Sequence, residues 1–284
     1  MLKLIECPRD AMQGLHDFIP TETKIHYINQ LLNVGFDTID FGSFVSPKAI
    51  PQLRDTAEVL KHLKLEESKS KLLAIVANER GAEDACSFEE INYLGFPFSI
   101  SETFQQRNTN SSIEESLKRV ETIQNMCVTN NKKMVVYVSM AFGNPYGDDW
   151  DLDIAAHWSR KLNNDLGIEI LALSDTIGVS RKENIKPLFE GLIKELPNVE
   201  FGAHLHSTPE AVLEKVAAAY EAGCRRFDGA IKGFGGCPMA TDDLTGNMPT
   251  EGMLNYFDNQ KIGTNIDVVE FEKAMGIALK VFPH

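Results

Sequence analysis

Apolar and polar positions follow one another along the chain in two recurring rhythms. Short, β-branched apolar runs are each followed by a longer stretch in which apolar residues return every three or four positions. The short runs predict eight strands, at 2–6, 37–41, 71–76, 96–100, 133–139, 168–174, 200–206 and 225–230. Their mostly apolar character is that of strands buried on both faces. The longer stretches predict helices at about 21–34, 48–64, 80–90, 111–130, 151–165, 183–195 and 209–222, with more helix after 250 and across 267–281. Local punctuation agrees: Thr208 and Pro209 open one helix and Gly223 closes it. Alternating strand and helix is the sign of parallel βαβ units, and eight repeats predict an α/β protein, a (β/α)8 TIM barrel. The expectation is a single domain over 1–284 with a few extra C-terminal helices. A doubly wound open sheet is the competitor, but it usually has fewer strands, and no glycine-rich phosphate fingerprint follows the first one.

Composition narrows the function classes. The chain is 43% hydrophobic and 24% charged, as in ordinary globular proteins, and no run of 18 apolar residues suggests a membrane span. A formal net charge of −13 repels polyanions, which argues against nucleic acid and acidic membrane surfaces as partners. An anionic ligand would then depend on a few locally placed basic groups and backbone donors. The five cysteines are scattered and include no CxxC pair, so a reducing compartment is expected. The opening MLKLIECPRD has neither the apolar core of a secretory signal nor the character of a transit peptide, and a cytoplasmic location is expected.

In a barrel of this kind chemistry collects at the C-terminal ends of the strands. Polar residues there include Arg9, Asp10, Ser43, Asn78, Ser101, Glu102, Ser139, Asp175, Thr176, His204 and His206. His204 and His206 are two apart at a strand end, and a period of two points both imidazoles to one face. Inward, they make a metal-ligand pair; the plainer alternative is two histidines bonded to backbone. Asp10 ends the first strand, one strand from the seventh across the barrel seam, and Asn247 lies in the loop after the eighth. Two nitrogens and two oxygens suit a six-coordinate Mg²⁺ or Mn²⁺ with positions left for water and substrate. Alternatively Asp10 pairs only with Arg9, and Asn247 serves a turn after Gly246. The segment GFGGCP at 233–238 places Cys237 on a glycine-rich loop that could close over a site.

Read together, PRDAMQG (8–14), SFVSPKAIPQ (43–52), NSSIEES (110–116), SDTIGV (174–179), AHLHST (203–208), GFGGCP (233–238) and TGNMPTE (245–251) resemble the 3-hydroxy-3-methylglutaryl-CoA lyase family, in order and spacing. The resemblance implies a metal-dependent barrel that cleaves a carbon–carbon bond in an acyl-CoA and works as a homodimer. It implies Asp10, His204, His206 and Asn247 as metal ligands, Arg9 as the substrate-carbonyl arginine, and Cys237 as the proton-transferring loop cysteine. Gln13, Ser43, Asp175, Thr176 and Glu251 fall at substrate-contacting or other active-site positions, and Asp40 stands where a strand-2 glutamate is usual. The chain departs from the pattern at three places. The glutamate expected five residues before the aspartate is at Glu6 instead of position 5, which is Ile5; Ala11 replaces a glycine, and Ser207 replaces an aspartate.

The implied chemistry deprotonates a tertiary hydroxyl and gathers charge on a thioester oxygen. Arg9 suits the second task, while the hydroxyl's base stays open among Asp10, His204 and a metal-bound water. Lys48 could reach a CoA phosphate or simply be a solvated surface lysine. Two rival enzymes are a lyase for another 3-hydroxyacyl-CoA and a Claisen-type synthase with the same metal set. The synthases carry an added C-terminal region, whereas this chain ends at VFPH, soon after the expected barrel. A barrel that only binds CoA or metal is the non-enzymatic rival.

Overall fold

Eight parallel strands close on one another in sequence order: β1 (Lys3–Glu6), β2 (Thr38–Ser43), β3 (Lys71–Ile75), β4 (Ile91–Ser99), β5 (Lys133–Ser139), β6 (Ile170–Asp175), β7 (Glu200–Leu205) and β8 (Arg226–Gly229). They are seen in a computed structural model that describes residues 1–236 and 245–282. Lys3 to Glu6 pair with Arg226 to Gly229, so the first strand closes the ring on the last and leaves no edge.

Around the ring lie α1 (Pro8–Gln13), α2 (Thr21–Leu32), α3 (Thr56–Leu60), α4 (Glu79–Cys86), α5 (Glu102–Thr109), α6 (Ile113–Thr129), α7 (Leu152–Leu166), α8 (Lys182–Glu195), α9 (Val212–Glu221), α10 (Thr250–Asn259) and α11 (Val268–Val281). The barrel and the eight strand positions agree with the sequence pattern. The boundaries differ where local signals mislead. β4 begins at Ile91 instead of 96, because seven consecutive pairs with β5, from Tyr93 to Ser99, carry the strand through Gly95, which reads as a breaker in isolation. The helix expected over 48–64 is a short 3-10 turn at Pro51–Leu53 followed by α3, since the residue before a proline is kept out of the helical region, as Ile50 is at φ −129° and ψ 78°. α1 and α5 lie where the sequence pattern predicts no helix; Pro8 starts the first, and the Ser101 side chain caps the second by accepting from the Phe104 N–H.

Alternation divides the apolar residues between two layers. Leu72, Leu94, Phe96 and Val136 face the helices, while Leu73, Ile75, Tyr93, Val135, Tyr137, Ile170 and Ala172 form a separate cluster inside the bore. On β7 and β8 the bore instead carries polar side chains, because Gly202 pairs with Arg226 and His204 with Asp228, and partners in a parallel register share a face. α11 lies on α2, with Phe271 edge-on to Phe36 and Phe282 edge-on to Tyr27. Among the described residues no helix is long and apolar enough to cross a membrane.

Candidate active site

At the C-terminal mouth of the barrel a cavity of about 160 Å³ is lined by Arg9, Asp10, Gln13, Thr176, His204 and His206 from the expected set. Ser139 also lines it, and Val45, Ile50, Ile75, Pro97, Phe104 and Tyr137 supply apolar wall. Ligand atoms of Asp10, His204 and His206 all lie within 4.8 Å of one another. Position in the fold explains the convergence. Asp10 is on α1, which Pro8 starts directly after β1; the two histidines sit at the end of β7, a strand from that seam.

The carboxylate is the hub. Asp10 Oδ1 accepts from Arg9 Nη1 at 2.7 Å and from Gln13 Nε2 at 2.6 Å, and Oδ2 accepts from Asn247 Nδ2 at 2.7 Å. Burial opposes its charge, yet Arg9, the two imidazoles and the Asn247 amide hold its carboxyl down at about 2. Arg9 donates Nε to both oxygens of Asp40, at 3.2 and 3.0 Å, and Nη1 to Gln13 at 3.0 Å. Burial pushes Asp40 up to about 6 against that arginine, still below neutrality, so the pair is ionic at pH 7. His206 is depressed to about 4 by burial and by the neighbouring His204, which leaves it a neutral imidazole. His204 is raised: burial works against protonation, but Asp228 beside Nδ1 favours it.

These groups fit a divalent cation. Nδ1 of His206 is buried without a hydrogen-bond partner among the described residues, and a ring nitrogen of His206 lies within 4.8 Å of an ionised carboxylate and a second imidazole. One oxygen and two nitrogen donors are the types that Mg²⁺, Mn²⁺ and Zn²⁺ accept. Asn247 differs from expectation in detail. It is buried beside Asp10, but its amide nitrogen meets the carboxylate and also donates to the Phe234 carbonyl at 2.9 Å. Presenting the oxygen instead takes a half-turn of the amide and forfeits the Phe234 bond. A second triad, Cys7, His204 and Asp228, lies equally close, but burial pushes the Cys7 thiol well above its ordinary range and a protonated thiol is a poor ligand.

Other expected residues stand back from the cavity. Asp175 accepts from the Val179 and Ser180 N–H groups and from Lys215 Nζ, which makes it the clamp of the loop after β6. Ser43 is buried, its hydroxyl donating to the Ile75 carbonyl and accepting from the Val45 N–H. Glu251 accepts from the Lys232 N–H at the start of α10. Asn78 and Ser101 cap helices, Glu102 accepts from the Ile113 N–H, and Lys48 is exposed. Cys237 lies outside the described residues. Glu6 is fully buried, with Ile231 N–H and Thr250 hydroxyl donating to it, so it ties β1 to the segment after β8. Sequence reasoning missed Asn108 and Thr109 on α5, and Tyr137, Ser174 and Asp228 on strands. Asp228 carried a signal: a carboxylate in the middle of an otherwise strand-like run.

The HMGL-like family profile matches residues 3–277. Hydroxymethylglutaryl-CoA lyase YngG of Bacillus subtilis is 35% identical over 271 residues, 95% of this chain and 88% of its own length. The 3-hydroxy-3-isohexenylglutaryl-CoA/hydroxy-methylglutaryl-CoA lyase of Pseudomonas aeruginosa is 32% identical over 268 residues, 94% of this chain and 88% of its own. The structure of an HMG-CoA lyase from Acinetobacter baumannii, in complex with coenzyme A and 3-methylmalate, superposes with a TM-score of 0.90 at 30% identity, covering 99% of this chain and 91% of that one. With a closed eight-stranded barrel, a carboxylate–imidazole cluster at its mouth and a match over nearly its whole length, the chain belongs to the HMGL-like family.

Proposed function

We propose that this protein is a hydroxymethylglutaryl-CoA lyase, cleaving 3-hydroxy-3-methylglutaryl-CoA to acetyl-CoA and acetoacetate. The observation that carries the reading is the convergence of Asp10, His204 and His206, with an unpartnered imidazole nitrogen, beside a buried arginine in one cavity. The relatives' shared activity supports it. In this reading Asp10, His204, His206 and the Asn247 amide hold a Mg²⁺ or Mn²⁺ ion. Bound there, the ion supplies Lewis-acid polarisation of the substrate's hydroxyl and carboxylate oxygens.

The chain's own residues do the rest. Asp40 fixes the Arg9 guanidinium from one side, so that Nη1 can exchange its bond to Gln13 for one to the thioester oxygen. As the C3 hydroxyl gives its proton to a base at the site, Asp10, His204 or a water held there, and the C3 oxygen becomes the ketone carbonyl of acetoacetate, the C2–C3 bond breaks. Its electron pair enters the thioester enolate, where Arg9 hydrogen-bonds the oxygen as charge develops. Cys237 then gives its thiol proton to C2, which releases acetyl-CoA. Asp175 and Ser43 keep the loops around the mouth in register, Thr176 faces the bound acyl group, and Glu251 holds the start of the loop that leads to Cys237. The reading also takes 1–284 as one catalytic barrel, a homodimer working in the cytoplasm.

A second reading, a lyase for a bulkier 3-hydroxyacyl-CoA, draws on the apolar wall of Val45, Ile50, Ile75 and Phe104 and on the Pseudomonas relative's double name. One assay separates them: acetyl-CoA release, with Mn²⁺ present, from the hydroxymethylglutaryl thioester and from thioesters with longer C3 substituents. Preference for the methyl compound supports the first reading and preference for a longer chain the second. Inactivity with all of them would remove both.

A further inference from the structure

Beneath the cluster, the bore of the barrel carries charge that the proposed chemistry does not use. Ser139, Ser174, His204 and Asp228 are successive partners across β5 to β8, so they form one layer just below the mouth. Asp228 is fully buried there, its Oδ2 3.2 Å from Nδ1 of His204. One layer deeper is Arg226, entirely buried, with Nη1 3.3 Å from Glu200 Oε1 and Nε 3.9 Å from Asp228 Oδ1. Lys3 pairs with Glu200 in turn. Room for the arginine comes from Gly202, where a Cβ would stand 3.0 Å from Arg226 Cδ. A column of alternating charge therefore rises from the half-buried floor of the barrel to one imidazole at its mouth.

Such a column is a poor stabiliser, because buried ion pairs rarely recover in Coulomb energy what their desolvation costs relative to apolar residues of the same volume. What a carboxylate at one imidazole nitrogen does well is decide the role of the other. Accepting a hydrogen bond from Nδ1–H keeps the proton on Nδ1, leaves a lone pair on Nε2 and fixes the plane of the ring. We propose that Asp228, backed by Arg226, is a positioning residue that holds His204 as the Nδ1–H tautomer and turns Nε2 towards Asp10 and His206. This rests on the reading that those three side chains hold a divalent cation.

Asp228→Asn tests it, because an amide can donate to Nδ1 and so favour the opposite tautomer. Isothermal titration of the purified chain with Mn²⁺ should show affinity reduced by about 10- to 100-fold. Thermal unfolding should move by only a few degrees, and Asp228→Glu should recover part of the affinity. Affinity equal to that of the unsubstituted protein in Asp228→Asn would overturn the proposal. The unsubstituted, metal-free protein supplies a readout independent of any variant's folding: long-range ¹H–¹⁵N correlation at pH 8 should show His204 protonated at Nδ1. Protonation at Nε2 with Nδ1 bare would overturn the proposal as well. If the unsubstituted protein takes up no Mn²⁺, the metal reading fails on its own, and the tautomer measurement still decides what Asp228 does.

Discussion

Glu6 is a carboxyl that folding buries completely, and burial pushes it up to about 8 although Thr250 and Ile231 donate to it. Its ordinary value is 4.5, so between pH 4.5 and 8 the folded chain holds a proton that the unfolded chain has released. Stability therefore falls as pH rises through that window, by about 3 kcal/mol at pH 7 from this residue. Glu6→Gln, which keeps the acceptor for Ile231, is expected to flatten the stability profile between pH 5 and 8 and raise the melting temperature at pH 8. Denaturant unfolding across that range checks it, and an unchanged slope would count against the assignment. Asp10 acts with the opposite sign: held down at about 2, its contribution is present above pH 3.8 and lost as pH falls through 2. For Cys237→Ala the expectation is turnover lowered by orders of magnitude with Mn²⁺ affinity retained, read by steady-state assay beside titration. At this scale Asp10, His204 and His206 were legible, because a strand end and a spacing of two are local facts. Asp228 showed only as a carboxylate within a strand-like run, because its role depends on facing His204 from the next strand.

At the scale of elements, α5 is the piece that local pattern did not foresee and that the cavity uses, through Phe104, Asn108 and Thr109. Its start is held by Asp148, far along the chain: the Ser101 and Thr103 hydroxyls and the Thr103 N–H all donate to that carboxylate. Asn144 holds Asp148 in place through both its backbone N–H and its carbonyl. With a composition this polar, α5 has little propensity of its own and depends on that clamp. Asp148→Ala is expected to raise KM for the acyl-CoA several-fold with a smaller change in kcat. Amide exchange across Glu102–Thr109 should quicken, and an unaltered exchange rate there would show that the helix stands without the clamp. The split of 48–64 into a 3-10 turn and α3 has a similar lesson: Ile50 and Pro51 state a break that helical periodicity hides.

The whole molecule brings together side chains about 200 residues apart in sequence because β1 closes on β8, one strand from β7. The proposed ligands are held by bonds within the chain: Asp10 by Arg9, Gln13 and Asn247, and His204 by Asp228. A preformed site predicts that chelation abolishes turnover while the barrel stays folded. Saturating Mn²⁺ should raise the melting temperature by a few degrees, in line with about 2.7 kcal/mol at a hundredfold excess over Kd. Loss of far-UV circular dichroism on adding EDTA would instead make the ion structural.

By itself the sequence determined the alternation of strands and helices, the closed barrel it builds, the family, and the residue types gathered at the strand ends. All of these are written in local periodicity and in ordered motifs. Tertiary structure alone decided which of those residues face the cavity, with Asp175 and Ser43 turned to loop contacts and Glu6 turned to the seam. It alone assembled the column from Lys3 to His204. The reason is physical: hydrophobic period sets which face of an element is buried, whereas the partners met on that face depend on register and closure between strands far apart in the chain.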